Sequence, residues 1–224
     1  LSTESERERK GKRRRLPAAE RRALIETAAT ELFAERGYRG TAIEEIAARA
    51  GVTPPVVYDH FESKQALYRS LLESHFAELR EVWQQNFGGE APLEQRVARS
   101  FDAWFGYVEQ HPFAGRMLFR DTSGDPEIAR MHAAVADASR AAVMPLAAGE
   151  EATTALTEAP AEQALDMLWV ALRGVLQGLA IWWADNPGVP RGQVVAAAMN
   201  TLWVGLERAG EGEGWRPEGE RTGK

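Results

Sequence analysis

The stretch TAIEEIAARAGVTPPVVYDHF at residues 41–61 constrains this chain more tightly than any other. It spells two short helices with one sharp turn between them. Thr41, followed three places on by Glu44, has the spacing of a capping box, which starts a helix. Ile43, Ile46, Ala47 and Ala50 recur at helical spacing and give that helix one apolar face. Gly51 permits the turn. Thr53 can cap the next helix. Pro54 and Pro55 fall in its first turn, where amide hydrogens lack intrahelical partners anyway. Val57 and Phe61 face inward, which leaves Pro54, Pro55, Val56, Tyr58, Asp59 and His60 outside. Two helices joined this way predict a helix-turn-helix unit, whose second helix can enter a DNA major groove.

Elsewhere no alternation of β-branched and polar residues stands out, and Ala, Glu, Arg and Leu recur at helical spacing. The expected fold class is therefore all-α, with about nine helices. The first, over 17–36, opens at Pro17 and stops at Gly37, with Leu24, Ile25, Ala28, Ala29, Leu32 and Phe33 as its inward stripe. Ser63 caps a longer helix over 64–86 that carries Leu67, Leu71, Leu72, His75, Phe76, Leu79 and Trp83, until Gly88-Gly89 breaks it. Helices follow over 92–110, around Met117-Leu118-Phe119, and over 126–147, 161–184 and 190–209. His111-Pro112, Gly124-Asp125-Pro126, a loop at 149–159 and Asn186-Pro187-Gly188 part them. The layout is a basic disordered arm at 1–16, a helix-turn-helix domain at 17–64 with the motif at 42–61, a second helical domain at 65–209, and a disordered tail at 210–224.

A formal charge of -6 looks wrong for a partner of nucleic acid, but the total hides an asymmetry. Residues 1–64 hold 13 Lys and Arg against 11 Asp and Glu, net +2, while residues 65–224 hold 14 against 22, net -8. Arg7, Arg9, Lys10, Lys12, Arg13, Arg14 and Arg15 crowd together and suit phosphate contact, and an acidic remainder discourages unspecific adhesion. The plain alternative is a solvated arm kept for solubility. Cys is absent, which rules out disulfide and thiolate chemistry and fits a reducing cytoplasm. No run of about 18 apolar residues is visible, so no membrane partner is expected. The basic N-terminus has no apolar stretch behind it, so it does not read as a secretory signal. A chain beginning at Leu1 is expected to have lost or altered its natural start.

Several motifs combine into a resemblance. An alanine-rich first helix ends in Glu35-Arg36-Gly37-Tyr38; then come Thr41, Ile46-Ala47, Ala50-Gly51-Val52, Tyr58-x-His60-Phe61-x-Ser63-Lys64 and Leu67. Together they resemble the DNA-binding domain of the TetR family of bacterial repressors, over about a quarter of the chain. The resemblance implies a cytoplasmic homodimer on a near-palindromic double-stranded operator, its two recognition helices about one turn, roughly 34–36 Å, apart. Carried over by position, Thr41 and Ala42 offer amide hydrogens to a phosphate. Thr53 meets backbone or a base edge, Pro54, Pro55 and Val56 stand at base-reading positions, and Tyr58, His60 and Lys64 at phosphate-clamping ones. Pro and Val cannot form bidentate hydrogen bonds to purines but can touch thymine methyls, so specificity leans on methyl contacts, Tyr58, Thr53 and DNA shape. Asp59 repels phosphate and can accept from cytosine. Each position also has a plainer reading: Tyr58 covering the first helix, His60 capping, Lys64 solvated, Thr41 simply a cap.

The resemblance further implies that residues 65–209 enclose an unidentified small, largely apolar effector and form the dimer contact. Trp83, Phe101, Trp104, Phe105, Met117, Trp169 and Trp182 are the candidate lining, with His75, Arg116, His132, Arg173 and Gln177 as polar candidates. Ordinary core packing is the competing reading for each. Gly174 and Gly178, four apart, allow a partner helix close, and Val194, Ala197, Ala198, Thr201, Leu202 and Gly205 offer a narrow face of small residues. The same residues could pack inside one protomer. No cofactor or metal is expected. None of His60, His75, His111 and His132 has Glu three places before it, no phosphate-loop glycines precede Lys12, and no nucleophile elbow surrounds Ser123, so an enzyme is poorly signalled. A helical interaction module that has lost operator binding is the remaining rival.

Overall fold

The computed structural model describes residues 16–119, 124–147 and 159–211. Nine α-helices and no strands occur among them: α1 Ala18–Arg36, α2 Ile43–Ala50, α3 Pro54–His60, α4 Lys64–Phe87, α5 Leu93–Gln110, α6 Pro112–Phe119, α7 Pro126–Ala147, α8 Ala161–Ala184 and α9 Arg191–Gly210. The basic stretch 7–15 and nearly all of the 149–159 loop and the 210–224 tail lie outside the described residues.

Helices α1 to α3 form a small head around one core. Ile25, Ala29, Leu32, Ile46 and Val57 are each at most 1 % exposed. Leu24 is not part of it: at 43 % exposed it stands beside the stripe, because burial of Ile25, Ala28 and Leu32 turns it aside. Gly37 closes α1 with φ 71°, and Gly51 closes α2 with φ 68°, a left-handed conformation that a side chain would strain. Pro17 sits just outside α1 as its cap residue rather than within its first turn.

The start of α2 also differs from the sequence expectation. Ala42, not Thr41, is the cap residue, and its amide donates to Glu45 Oε2 at 3.1 Å. The reciprocal half of the box is shifted by one place because Thr41 is drawn inward. Its hydroxyl, 2 % exposed with the rest of the residue, points to the carbonyls of Gly37 at 2.9 Å and Leu32 at 3.2 Å. Thr53 caps α3 by position only. Pro54 and Pro55 have no amide hydrogen to give, and the Val56 amide goes to the Thr53 carbonyl at 2.9 Å. Ser63 does cap α4, accepting from the Ala66 amide at 3.0 Å.

Helix α4 belongs to head and body alike. Leu67 and Leu72 are fully buried near its start, and Leu79, Trp83 and Phe87 continue the stripe into the body. There it packs on α5 and α7, while α1 rests on α6 and α9 on α5. Two polar ties add to the joint: Tyr68 Oη lies 2.9 Å from His132 Nε2, and His75 Nδ1 lies 2.7 Å from Tyr107 Oη.

Candidate nucleic-acid interface

Helix α3 turns one side into the head and the other to the outside. Val57 is buried and Phe61 seals the helix end beneath the Arg22 guanidinium, 4.5 Å above its ring. Thr53, Pro55, Tyr58 and Asp59 project outward, Tyr58 at 52 % exposed. Pro54, Val56 and His60 are half-buried, Val56 resting against the core. His60 forms no capping hydrogen bond among the described residues; the Phe61 amide returns to the Val57 carbonyl instead. The outward face thus presents a hydroxyl, a pyrrolidine ring, a phenol and one carboxylate, a short polar and apolar mixture suited to base edges and thymine methyls.

Two expected phosphate contacts have other partners. Of the two amides expected at a phosphate, that of Ala42 donates to Glu45 Oε2 at 3.1 Å, while the buried Thr41 side chain takes no part in the expectation. Lys64 Nζ donates to the carbonyls of Tyr38 and Thr41, each at 2.9 Å, and lies 4.3 Å from the centre of the Tyr38 ring. Burial holds its ammonium below the usual lysine range, opposed by the charge of Asp125. An ammonium has three protons, and two are engaged here. Lys64 therefore secures the turn before α2, with one donor left.

The other cations of the described head are engaged as well. Arg49 grips Glu35 through two bonds of 2.9 and 3.1 Å, and Arg36 holds Glu45 at 2.5 Å. Arg22 pairs with Glu26 at 2.9 Å, Arg21 donates to the Leu16 carbonyl at 2.8 Å, and Arg39 reaches Asp125 at 3.9 Å. Hydrogen bonding from Arg49 holds the Glu35 carboxyl below the ordinary glutamate value; the Ala42 amide, then Arg36, do the same for Glu45.

The architecture and this outward helix have close parallels. Residues 25–71 match the family described as bacterial regulatory proteins, tetR family. The transcriptional activator FasR of Mycolicibacterium smegmatis is 30 % identical over 194 residues, covering 86 % of this chain and 85 % of that protein. The chain belongs to the TetR family. The transcriptional repressor KstR2 of Rhodococcus jostii is 38 % identical over 87 residues, 37 % of this chain and 42 % of its own length. A TetR-like regulator from Rhodococcus sp. RHA1 superposes with a TM-score of 0.69 at 20 % identity, covering 86 % of this chain and 99 % of that one. Membership makes this chain a DNA-binding transcription regulator of the helix-turn-helix type rather than an enzyme, and the rival of a module without operator binding loses its footing.

The body of this TetR-family chain holds two apolar cavities, each about 50 Å³. Trp83, Trp104, Trp169, Arg173 and Gln177 line the first, and Trp83 and Phe101 line the second. Three expected lining residues lie elsewhere. Phe105 is fully buried core, 5.0 Å from Trp104 and 6.0 Å from Trp183 between ring centres. Met117 is buried outside both cavities, and Trp182 turns outward at 50 % exposed. His75, Arg116 and His132 are absent from these two and bond Tyr107, the Ala184 carbonyl at 3.1 Å, and Tyr68. His75 instead lines a more open and more polar cavity of about 330 Å³ between α1, α4 and α6, and Arg116 borders a small one of about 10 Å³. Sequence reasoning missed Arg80 and Ser139, which face the first cavity. Arg80 stands four places from Phe76 and three from Trp83, a spacing that puts it beside their stripe.

Two of the expected pairing residues are covered within the protomer. Val194 is 2 % exposed and Ala198 fully buried, because α9 lays this edge on α5. Gly174, Gly178, Ala197, Thr201 and Gly205 remain exposed and Leu202 is half-buried. Contrary to the sequence expectation, α8 is long and apolar enough to cross a membrane by length and composition, although Asp166 and Arg173 interrupt it. Only 22 % of its most apolar stretch is buried within the protomer, and Met167, Val170 and Trp182 are at least half exposed.

Proposed function

We propose that this regulator represses transcription as a homodimer on a near-palindromic operator and is released by a small, largely apolar ligand. One observation carries the reading: α4 runs unbroken from the Ser63 cap behind α3 to the wall of both cavities, where it contributes Trp83. A ligand that changes the pose of α4 therefore changes the pose of the reading helix, provided it binds the two states unequally. FasR is an activator and KstR2 a repressor, so either sign of control exists among the relatives. Repression is the simpler outcome of a protein that only occupies its operator.

The exposed stripe of Met167, Val170, Gly174, Gly178 and Trp182 on α8, with Ala197, Thr201, Val204 and Gly205 on α9, supports the dimer. Its residues recur at three- and four-residue spacing, and its small members let helix axes approach. A second copy covers this apolar surface; a bilayer is not needed to explain it.

Fluorescence anisotropy of the purified chain on its own upstream DNA, across a salt series, tests the reading together with light scattering. Val170→Asp is expected to yield monomers and to weaken operator binding by about 3 kcal/mol, since two linked half-site contacts become one. A monomeric wild type that binds the operator fully would refute the dimer.

A further inference from the structure

The two apolar cavities have a common wall: Trp83, Val143 and Leu172 line both. The second continues toward Leu202, Trp203 and Leu206 of α9 with almost no polar surface. The first mixes Trp104 and Phe119 with Arg80, Ser139, Arg173 and Gln177. Taken together they form an axis, polar at one end and apolar at the other.

The arginines are the informative part. Neither Arg80 nor Arg173 makes a hydrogen bond or ion pair with a described residue. Neither has an Asp or Glu three or four places away on its own helix, where such a partner would lie. Some arginines of the body are held by carboxylates: Arg140 by Asp166, Arg116 by Asp185, and Arg191 by Asp102 and Glu109. Of those that are not, half-buried Arg80 and exposed Arg173 line the first cavity. In a region of net charge -8, two guanidinium groups without a carboxylate meet at one cavity. Guanidinium groups are preferred partners of carboxylates and phosphates.

We propose that the effector is an elongated amphipath whose anionic head is held by Arg80 and Arg173 and whose hydrocarbon chain passes Trp83 and Leu172 into the second compartment. This deepens the effector reading above and rests on it. The compartments are far smaller than the several hundred Å³ of a typical ligand site. The proposed chain therefore requires a more open state than this one, reached as α7 and α8 part around Val143 and Leu172. That requirement makes the ligand favour one state over the other, which control of α4 needs.

Saturated carboxylates of ten to eighteen carbons, their coenzyme A thioesters and the matching primary alcohols are the probes. Quenching of tryptophan fluorescence in the full chain, checked by calorimetry, reads their binding. Affinity for the anions is expected to rise about three- to fourfold per methylene, and the alcohols to bind at least tenfold more weakly. Arg80→Gln with Arg173→Gln should weaken the anions by tenfold or more and the alcohols by less than twofold, with Arg80→Lys and Arg173→Lys restoring part of the loss. Leu172→Trp should flatten the dependence on chain length. A preference for the free acid or for the thioester tells the two sources of negative charge apart, and either supports the proposal. Equal binding of anions and alcohols, equal loss of both in the Gln variants, or indifference to chain length overturns it. Operator binding by the same ligand-free preparation separates the failures. If it persists while no amphipath binds, the inference alone falls; if it is absent, the operator reading falls too.

Discussion

The head and the body treat their charged residues in opposite ways. In the head, Arg21, Arg22, Arg36, Arg39, Arg49 and Lys64 are all engaged by the protein. In the body, half-buried Arg80 and exposed Arg173 line a cavity with no hydrogen-bond or ion-pair partner among the described residues. The packing differs in the same sense: Ile46 and Val57 are fully buried and line none of the cavities described, whereas Trp83 and Leu172 border two. A rigid, internally satisfied head holds a fixed shape for DNA. The body, with cavities and arginines not held by carboxylates, has the features that the effector proposal needs. Head arginines paired with carboxylates attract phosphate less, which leaves Arg7 to Arg15, with Lys64 and Arg21, as the cations whose contribution to phosphate attraction is worth testing.

The largest effect should come from the packing contrast. Ile46→Ala is expected to cost about 4 kcal/mol, and Leu172→Ala about 2, because the second site already borders empty space. Chemical denaturation of both variants checks this, and equal losses would break the comparison. Next is removal of residues 1–15. Operator affinity should fall by about 3 kcal/mol and the slope of log affinity against log salt by about 3 or more, if several of these cations displace counterions. An unchanged slope would return phosphate binding to the head.

Lys64→Met sharpens the point at one residue. It removes two hydrogen bonds to carbonyls, so stability should drop by about 1–3 kcal/mol. Were Lys64 a phosphate clamp instead, the salt slope would fall by about 1 with little loss of stability. The smallest effect concerns pH. Burial pulls His75 below the ordinary histidine value and pushes the Tyr107 hydroxyl up. The unfolded chain therefore binds a proton that the folded chain refuses, and stability falls as pH drops through about 6.5. The melting temperature should be lower at pH 5.5 than at 7.5, and His75→Gln should remove part of that difference.

Much of the architecture was legible because its punctuation is local. Gly37, Gly51, Ser63, Gly88 and Asn186-Pro187-Gly188 end or begin helices by their own backbone and side-chain preferences, and the observed ends fall within a residue or two of the expected ones. Thr41 shows where locality fails. A Thr with Glu three places on reads as a cap, yet the carbonyls of Leu32 and Gly37 outbid that role, and they come from a different helix end. Lys64 is a similar case, since its carbonyl partners lie 26 and 23 places back. In the body, apolar character does not say which side of a helix meets a void. Trp83 and Trp182 look alike in the sequence; one borders both cavities and the other faces outward. Val194 and Ala198 offered a small-residue face that suits either a partner or α5, and only the packing of α9 decides.

Helix α4 is 24 residues long, or about 36 Å end to end. As a stiff beam pivoting near Phe87, it multiplies small displacements: about 5° of tilt carries its Lys64 end some 3 Å. That distance nearly equals one base-pair step of about 3.4 Å. In the symmetric pair proposed above the error would double, one copy sliding each way along the duplex axis. On that proposal, a guest would need to wedge the body apart only slightly for both reading helices to miss their grooves.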